Sequence, residues 1–421
     1  MKIAFLSDFH IGFSQKEREN EAFENASAAM RLAVGKGVQA IVIAGDIFDK
    51  EVPESLHLIQ AFSVFSIARN ANKNLVFVKK VGPEKERELK LQGIPIFAIH
   101  GTHEFRSRDY ANYLQLFEEA GFITYLHGEK AFFEQGGERI VVHGLGGVPE
   151  KKALDVLHAW DPRPEPNAFN ILVMHQSFKE FLPFDDEMIA TLTIDALPDG
   201  FDIIVNGHLH WQNEVKQDGK HLILTGSTVL TQMKRLEAKK PKGIYIMETK
   251  SKALEFLPLP DQRPFLYEKL EFENADKNLV AKRLREVLGR ITSVQYNKRP
   301  LIKIKLSGSL AKGHSADSID LKDILDEYSN KAIISIDSDF FAQSFSKKLS
   351  ELVALQEKNK SVIDLGYELL EKKLSETNFN NAFDARKLFS ILEADDIEGA
   401  KNYLLSIGEE KSKVRIQNEK N

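Results

Sequence analysis

The chain has 421 residues, of which 43% are hydrophobic, and its formal net charge is −5. The length predicts two or three domains, and the apolar content is sufficient for a substantial core. The sequence contains no Cys, which excludes disulfide bonds and thiolate metal sites. No apolar run reaches the length of a membrane span, so neither membrane insertion nor secretion is expected.

Apolar, β-branched runs alternate with helical patterns along the first half of the chain. The runs predict strands over residues 2–7, 39–44, 95–99, 139–143, 170–174, 202–206 and 221–225. This order predicts an α/β sandwich built on mixed sheets. Apolar residues at helical spacing predict helices near residues 56–67 and 110–117, and residues 83–90 are expected to form an exposed insert or a helix start.

Polar motifs follow five of these apolar runs. They are Asp8-Phe9-His10, Gly45-Asp46-Ile47-Phe48-Asp49, Gly101-Thr102-His103-Glu104, Met174-His175 and Gly207-His208-Leu209-His210. Carboxylates and imidazoles at one edge of a sheet can bind two divalent metals, and such sites hydrolyse phosphate esters. If the backbone after the first strand is extended, Asp8 and His10 share one face. Two alternatives stay open, namely Asp46 as a helix N-cap and His175 as a hydrogen-bonded core residue.

Together the motifs resemble the calcineurin-like metallophosphoesterases, and within them the DNA double-strand-break repair nucleases of the Mre-eleven/SbcD type. The Asp-x-His-x-Gly opening at residues 8–12, Gly226-Ser227 after the last motif and a long C-terminal extension carry the closer resemblance. It covers residues 1–260 well and the rest loosely. The implied fold is α/β, a metallophosphoesterase β-sandwich flanked by helices, with a smaller α+β capping domain and a helical C-terminal extension.

The same resemblance implies a two-metal site that holds two Mn²⁺ ions, with Mg²⁺ as the alternative ion. The implied metal ligands are Asp8, His10, Asp46, Thr102, His175, His208 and His210, with Asp46 shared by both ions. His103 would be the catalytic residue that protonates the leaving oxygen. Asp49 is a second catalytic candidate, because it stands where some family members carry another His.

The third motif departs from the family pattern at Thr102, where an Asn is usual. A Thr hydroxyl is a shorter and weaker ligand than an amide oxygen, so the second ion is expected to bind less tightly. Activity could be slower, more metal-selective or lost. His100, just before this motif, is expected to be exposed, with compensation for Thr102 as the alternative.

Binding of DNA by an acidic protein requires local basic patches, since Lys and Arg neutralise phosphates. Arg106 and Arg108 follow His103, and Lys234 and Arg235 precede a lysine-rich run at residues 239–242. Neither patch indicates base reading, so sequence-independent contact with DNA ends is expected. A solvated surface is the alternative for both.

We therefore predict three parts of the chain: a metallophosphoesterase domain (1–260), a capping domain (261–340) and a helical extension (341–421). Residues 282–291 predict a helix, and residues 301–306 and 332–336 predict strands. Apolar stripes beyond residue 341 predict helices that dock onto a partner. In the resembled family such helices bind a Rad-fifty/SbcC-type ATPase, and helices like those near residues 56–67 and 110–117 form a homodimer. Packing within the chain is the alternative for both.

The functional prediction is therefore a Mn²⁺-dependent DNA exonuclease and endonuclease that processes double-strand-break ends with an ATPase partner. No P-loop pattern occurs in the sequence, so ATP hydrolysis would belong to that partner. A cytoplasmic location, nucleoid-associated when bound to DNA, is expected. The alternatives are a non-catalytic scaffold that binds DNA ends and a phosphodiesterase acting on small nucleotide substrates.

Overall fold

The computed structural model describes residues 1–83, 85–105, 111–182, 192–311 and 321–342, together with a few single positions beyond residue 342. The predicted helical extension (341–421) therefore lies almost entirely outside the described residues. Where the structure describes the chain, no helix combines the length and the apolar character that crossing a membrane requires.

Six of the described strands form one sheet in the order β14-β13-β1-β2-β5-β6. They are β1 (Lys2–Leu6), β2 (Ala40–Ala44), β5 (Ile96–Ile99), β6 (Thr124–Tyr125), β13 (Gly243–Glu248) and β14 (Leu254–Pro258). The strands β1, β2 and β5 run parallel, whereas β13 pairs with β1 in the antiparallel sense. Three predicted strands thus lie side by side at the centre of this sheet, and their carboxyl ends meet at one edge.

Eight other described strands form a second sheet in the order β11-β12-β10-β9-β8-β7-β3-β4. They are β3 (Leu75–Val81), β4 (Glu86–Gln92), β7 (Glu129–Gln135), β8 (Glu138–Leu145), β9 (Phe169–Met174), β10 (Ile203–Asn206), β11 (Asn213–Gln217) and β12 (Lys220–Leu224). Residues 83–90 were expected to form an exposed insert or a helix start. The helix start is wrong, because β4 covers most of these residues. Five of the seven residues of β4 are charged or polar, and only Leu89 and Leu91 are buried, which suits an edge strand.

The two sheets pack face to face, and helices cover their outer faces. Along β1, Ile3 and Phe5 belong to an apolar cluster shared with strands of the second sheet. The alternate residues Ala4 and Leu6 belong to a cluster formed with the helices of the first sheet. A central strand buried on both faces reads as a continuous apolar run, which is why the sequence pattern revealed it. The predicted α/β sandwich is confirmed.

The helices of this part of the chain are α1 (Glu21–Gly35), α2 (Ser55–Arg69), α3 (Tyr113–Glu119), α4 (Ala153–Trp160) and α5 (Arg235–Lys239). Both helices predicted near residues 56–67 and 110–117 are present, as α2 and α3. One face of α2 packs inward through Val64 and Phe65, while Leu56 and Ile59 on another face are 58% and 61% exposed. Packing within the chain, the alternative to a homodimer, therefore accounts for only one face of α2.

Beyond β14 the chain forms β15 (Phe265–Ala275), α6 (Lys277–Thr292), β16 (Leu301–Leu310), α7 (Lys322–Tyr328) and β17 (Ile333–Ala342). The strands form a sheet in the order β15-β16-β17. The predicted helix and the strand predicted at residues 301–306 lie within α6 and β16, and the strand predicted at residues 332–336 overlaps β17, which begins one residue later. The chain separates into two compact units, one of Met1–Glu268, Ile291–Ile304 and Tyr328–Ser335, the other of Lys269–Arg290, Lys305–Glu327 and Ile336–Asn421. The three-domain division stays a prediction.

Candidate metal centre

The loops that follow β1, β2, β5, β9 and β10 converge at the carboxyl edges of the two sheets. His175 after β9 lies with Nε2 3.1 Å from Oδ2 of Asp46 after β2. His210 after β10 lies with Nε2 3.8 Å from Oδ1 of Asp8 after β1. Each of these contacts joins a residue of one sheet to a residue of the other. The motifs that are distant in the sequence therefore form one cluster.

A first group of possible metal ligands consists of Asp8, His10 and His210, whose ligand atoms all lie within 4.8 Å of one another. The Nε2 atoms of the two histidines are 3.2 Å apart. Both lie 3.8 Å from Oδ1 of Asp8. All three residues are almost completely buried. Two imidazole nitrogens and a carboxylate oxygen converging on one point form a suitable donor set for a divalent cation.

A second group consists of Asp46, His175 and His208, again with ligand atoms within 4.8 Å of one another. The Nδ1 atom of His175 lies 2.7 Å from the carbonyl oxygen of Ala44, to which an Nδ1–H donates. This bond directs Nε2 toward Asp46, the arrangement by which proteins fix histidine ligands. The N-cap alternative for Asp46 is wrong, because α2 begins nine residues later with Glu54 as its N-cap residue.

The backbone at these ligands is not extended, contrary to the expectation for Asp8 and His10. Asp8, His10, Asp46 and His208 have φ values of 52°, 48°, 49° and 72°. Such left-handed residues persist where surrounding contacts hold them, as often at functional sites. Here the amide groups of Asp8 and His10 donate to the carbonyl oxygens of Gly45 and Asp46 at 2.9 and 3.0 Å. The two loops therefore brace each other.

Burial and neighbouring charges shift the pKa values of the cluster in opposite directions. Burial raises the pKa of Asp8 to about 6. Burial also acts to raise the pKa of Asp46, but the charge of His175 and its hydrogen bond outweigh it and hold that pKa well below its usual range. Burial and the charge of His175 lower the pKa of His208 to about 4. His208 is therefore neutral at pH 7, the form in which imidazole binds metals. Burial acts to lower the pKa of His175, but the charge of Asp46 outweighs it and raises that pKa to about 10, so His175 would lose its proton on binding a metal.

His103 and Asp49 lie beside the first group. The Nδ1 atom of His103, an exposed residue, is 2.7 Å from the carbonyl oxygen of Asp49. Oδ1 of Asp49 is 3.1 Å from Nδ1 of His10. When His103 donates its Nδ1–H to Asp49, its Nε2 is the nitrogen available to exchange a proton with a substrate. Asp49 thus contacts both histidines and orients them.

Thr102 lies at the edge of the second group. Its Oγ1 is 3.5 Å from Oδ2 of Asp46, at the limit of a hydrogen bond. The backbone amide of His103 donates to the other carboxylate oxygen of Asp46 at 2.9 Å. The third motif therefore contacts Asp46 through its backbone and one hydroxyl.

The sequence did not reveal the environments of two residues of this region, Glu104 and His100. Glu104 is buried, and its carboxylate accepts hydrogen bonds from the amides of Phe48 and Gly101 at 2.7 and 2.9 Å, so it joins two motif loops. Burial raises the pKa of Glu104 to about 8. The position of Glu104 in the third motif is the only feature of the sequence that pointed to a role for it.

The expected exposure of His100 is wrong. This residue is 4% exposed, and its ring nitrogens lie 2.7 Å from Oη of Tyr125 and 3.1 Å from the carbonyl oxygen of Gly147. Burial lowers the pKa of His100 to about 3. It is thus a neutral residue that holds the start of the third motif against two neighbouring segments, and it offers no substitute for Thr102.

The basic residues predicted to contact DNA differ in whether the structure describes them and in whether they are exposed. Arg106 and Arg108 lie outside the described residues. Lys234 and Arg235 are exposed at the start of α5. In the lysine-rich run that follows, Lys242 is only 4% exposed, so it does not belong to a surface patch.

Gly207 is required by close packing beneath the cluster. A Cβ atom there would lie 2.1 Å from the carbonyl oxygen of Ala44 and 2.3 Å from Oγ of Ser7. We therefore expect Gly207→Ala to lower the free energy of unfolding by about 1–3 kcal/mol, measured by urea denaturation. Gly35→Ala is the control, because a Cβ there meets nothing within 4 Å. Equal stability of the two variants would contradict the expectation.

A model of the family described as calcineurin-like phosphoesterase matches residues 1–212. The chain is similar to three proteins, each of which is named as a double-strand break repair protein Mre11. It is 25% identical to that of Saccharolobus solfataricus (59% of this chain, 60% of the relative), 26% to that of Archaeoglobus fulgidus (84% and 81%) and 25% to that of Homo sapiens (65% and 43%). The match therefore spans less than two thirds of the length of the first and third of these relatives.

Proposed function

This chain belongs to the calcineurin-like phosphoesterase family, and on that basis we propose that it is a Mn²⁺-dependent DNA nuclease that processes double-strand-break ends. The observation that carries the proposal is the pair of ligand groups around Asp8 and Asp46. They combine carboxylate and imidazole donors, which suit Mn²⁺, with Mg²⁺ as the alternative. The similarity to Mre11 proteins of archaea and eukaryotes supports DNA as the substrate.

The donor chemistry of the cluster fits two divalent ions. The first group would hold one ion, and the second group would hold the other. Asp46 would serve both, as the family resemblance implies, and its charge acts on Asp8 and His10 of the first group as well as on His175. Two bound ions supply Lewis-acid activation of the phosphodiester and of the attacking water.

The remaining chemistry belongs to side chains beside the cluster. His103 would donate a proton from Nε2 to the leaving oxygen, since its Nδ1 is held by the carbonyl oxygen of Asp49. The exposure of His103 allows a large substrate to reach it. Asp49 would act as the residue that keeps His103 and His10 in place. Lys234 and Arg235, and Arg106 and Arg108 in the sequence, would contact phosphates without reading bases.

Competition between substrates tests this proposal. End-labelled duplex DNA and a small chromogenic phosphodiester would be offered together with Mn²⁺. A DNA nuclease cleaves DNA preferentially, and DNA suppresses hydrolysis of the small diester. Preferential hydrolysis of the small diester, unaffected by DNA, would instead establish the phosphodiesterase that acts on small nucleotide substrates.

Thr102 favours a second candidate function, a scaffold that binds DNA ends without cleaving them. We expect Thr102→Asn to tighten Mn²⁺ binding at one of two sites by roughly tenfold, or about 1.4 kcal/mol, because an amide oxygen reaches farther than a hydroxyl. Calorimetric titration measures this change. Thr102→Val, which removes only the hydroxyl, is the matched control and should not tighten binding. Unchanged affinity in Thr102→Asn would show that this position is no ligand. If wild type did not cleave DNA and Thr102→Asn did, the scaffold would be favoured.

The exposed faces of α2 and α3 support a homodimer. Leu56 and Ile59 of α2 and Leu116 of α3 are 58%, 61% and 48% exposed. Each such side chain contributes about 1.5–3 kcal/mol when it is fully buried.

We expect Ile59→Glu to convert the dimer to a monomer, as measured by light scattering, without loss of Mn²⁺ binding. Leu75→Glu is the control, because Leu75 is an apolar residue of β3 with 54% exposure, similar to that of Ile59. A dimeric Ile59→Glu variant would contradict this role of α2.

The ATPase partnership rests on the predicted helices beyond residue 341, which lie outside the described residues. The apolar stripes in that part of the sequence support docking onto a Rad-fifty/SbcC-type ATPase. Truncation near residue 340 should then abolish co-purification with such an ATPase.

A further inference from the structure

A buried lysine lies behind the loop that carries His208 and His210. Lys242 stands directly before β13 and is only 4% exposed. Its Nζ donates to the carbonyl oxygen of His210 at 2.6 Å, to Oγ of Ser227 at 2.8 Å and to Oε1 of Glu237 at 2.6 Å. An ammonium group has three protons, and here each of them has an acceptor.

The ion pair between Lys242 and Glu237 is buried on both sides, with side chains 5% and 0% exposed. Burying two charges costs several kcal/mol per ion, so a pair of this kind commonly adds little to folding stability over apolar residues of similar volume. Its placement therefore suggests a contribution other than stability. The ammonium group contacts the main chain of a candidate metal ligand directly.

His210 is held at its carbonyl oxygen and at its ring. The carbonyl oxygen accepts from Nζ of Lys242 at 2.6 Å and, at the longer distance of 3.3 Å, from the amide of Ser227, while Oγ1 of Thr231 lies 2.7 Å from Nδ1 of the ring. The bonds to the carbonyl oxygen set the position of the main chain, and the contact with Thr231 sets the rotation of the ring. With both in place, Nε2 of His210 lies 3.2 Å from Nε2 of His10.

The carboxylate of Glu237 also has an electrostatic consequence. A bare ammonium group next to His210 would repel a cation bound there. Glu237 lies 2.6 Å from Nζ of Lys242 and neutralises it, so the hydrogen-bonded anchor adds no net charge. The position of this ion pair is thus compatible with a divalent cation at the first group.

We propose that Lys242 and Glu237 are positioning residues for the metal group of Asp8, His10 and His210. Lys242 holds the main chain at His210 in its ligating position, and Glu237 cancels the positive charge that this requires. The inference rests on the proposed function of the cluster as a metal site. It concerns one of the two ligand groups only, since Lys242 makes none of these bonds to Asp46, His175 or His208.

Calorimetric titration of the full chain with Mn²⁺ tests this role through Lys242→Met. Loss of an outer contact to a metal ligand typically weakens metal binding about 10- to 100-fold. We expect that loss at one of two sites, with the other unchanged. Lys220→Met is the matched control, because Lys220 is 9% exposed and its Nζ donates to the carbonyl oxygens of Ile194 and Asp195 instead. The control should keep both affinities even where thermal stability falls.

Equal Mn²⁺ affinities in Lys242→Met and wild type would overturn the proposal. If Lys242→Met does not fold, the double variant Lys242→Met/Glu237→Gln is titrated instead, since it leaves no unpaired buried charge. The same loss at one site supports the proposal, and its absence overturns it. Failure of the proposed nuclease function has a different signature, in which wild type binds two ions and Lys242→Met loses one, but neither cleaves DNA.

Discussion

Replacement of Asp46 by asparagine is expected to lower the rate of DNA cleavage by at least about a thousandfold, or about 4 kcal/mol. Asp46 belongs to the second ligand group and also acts electrostatically on Asp8 and His10 of the first. Asparagine keeps the shape of the side chain but removes its charge. Both ions should therefore bind more weakly, which calorimetry with Mn²⁺ measures alongside the cleavage rate.

A control for backbone effects is available in Asp218→Asn. Asp218 is exposed between β11 and β12, and its φ of 50° is close to the 49° of Asp46. Asparagine tolerates this left-handed conformation, so neither substitution should strain the backbone. Asp218→Asn should cleave at the wild-type rate. If Asp46→Asn also did so, Asp46 would have no role in holding the ions.

His103→Ala is expected to slow cleavage by about 10²- to 10⁴-fold, the usual contribution of a general acid. Its ring is exposed and belongs to neither of the groups around Asp8 and Asp46, although it forms a third group of possible ligands with His10 and Asp49. Binding of two Mn²⁺ ions should therefore persist in the variant. Cleavage of end-labelled DNA and calorimetric titration of the same preparation would separate the two effects.

His221→Ala is the matched control for this substitution. His221 lies on β12, and its Nε2 is 3.0 Å from a carboxylate oxygen of Glu214. Removing it deletes an imidazole with an acidic partner outside the cluster, so cleavage should be unchanged. If His103→Ala lost metal binding in proportion to activity, His103 would be a ligand rather than a proton donor.

The sequence was informative for several strands in which burial on both faces produced an uninterrupted apolar run, although β13, which is buried from Gly243 to Met247, was not predicted. The strands β1, β2, β5, β9 and β10 were predicted for this reason, and the polar residues at their ends could be placed at one edge. The strand β4 was missed because it lies at the edge of its sheet and most of its residues are charged, as is typical of exposed segments. The helical C-terminal extension remains untested.

Within the site, the sequence could not predict contacts that depend on tertiary packing. Lys242 closes a run rich in lysine and proline, which is typical of a solvated surface, yet it is buried against His210. His100 and Glu104 are buried through partners distant in the chain, Tyr125 and Phe48. A local pattern carries no information about such partners. The left-handed backbone at Asp8 likewise depends on the neighbouring loop rather than on its own residue type.

The most direct test of the two-metal account is cleavage of end-labelled duplex DNA by the chain after removal of metals with a chelator. We expect no cleavage by the stripped protein, and cleavage that rises with added Mn²⁺ until two ions are bound per chain. Cleavage that persists in excess chelator would contradict it, as would the absence of cleavage by a chain that has bound both ions.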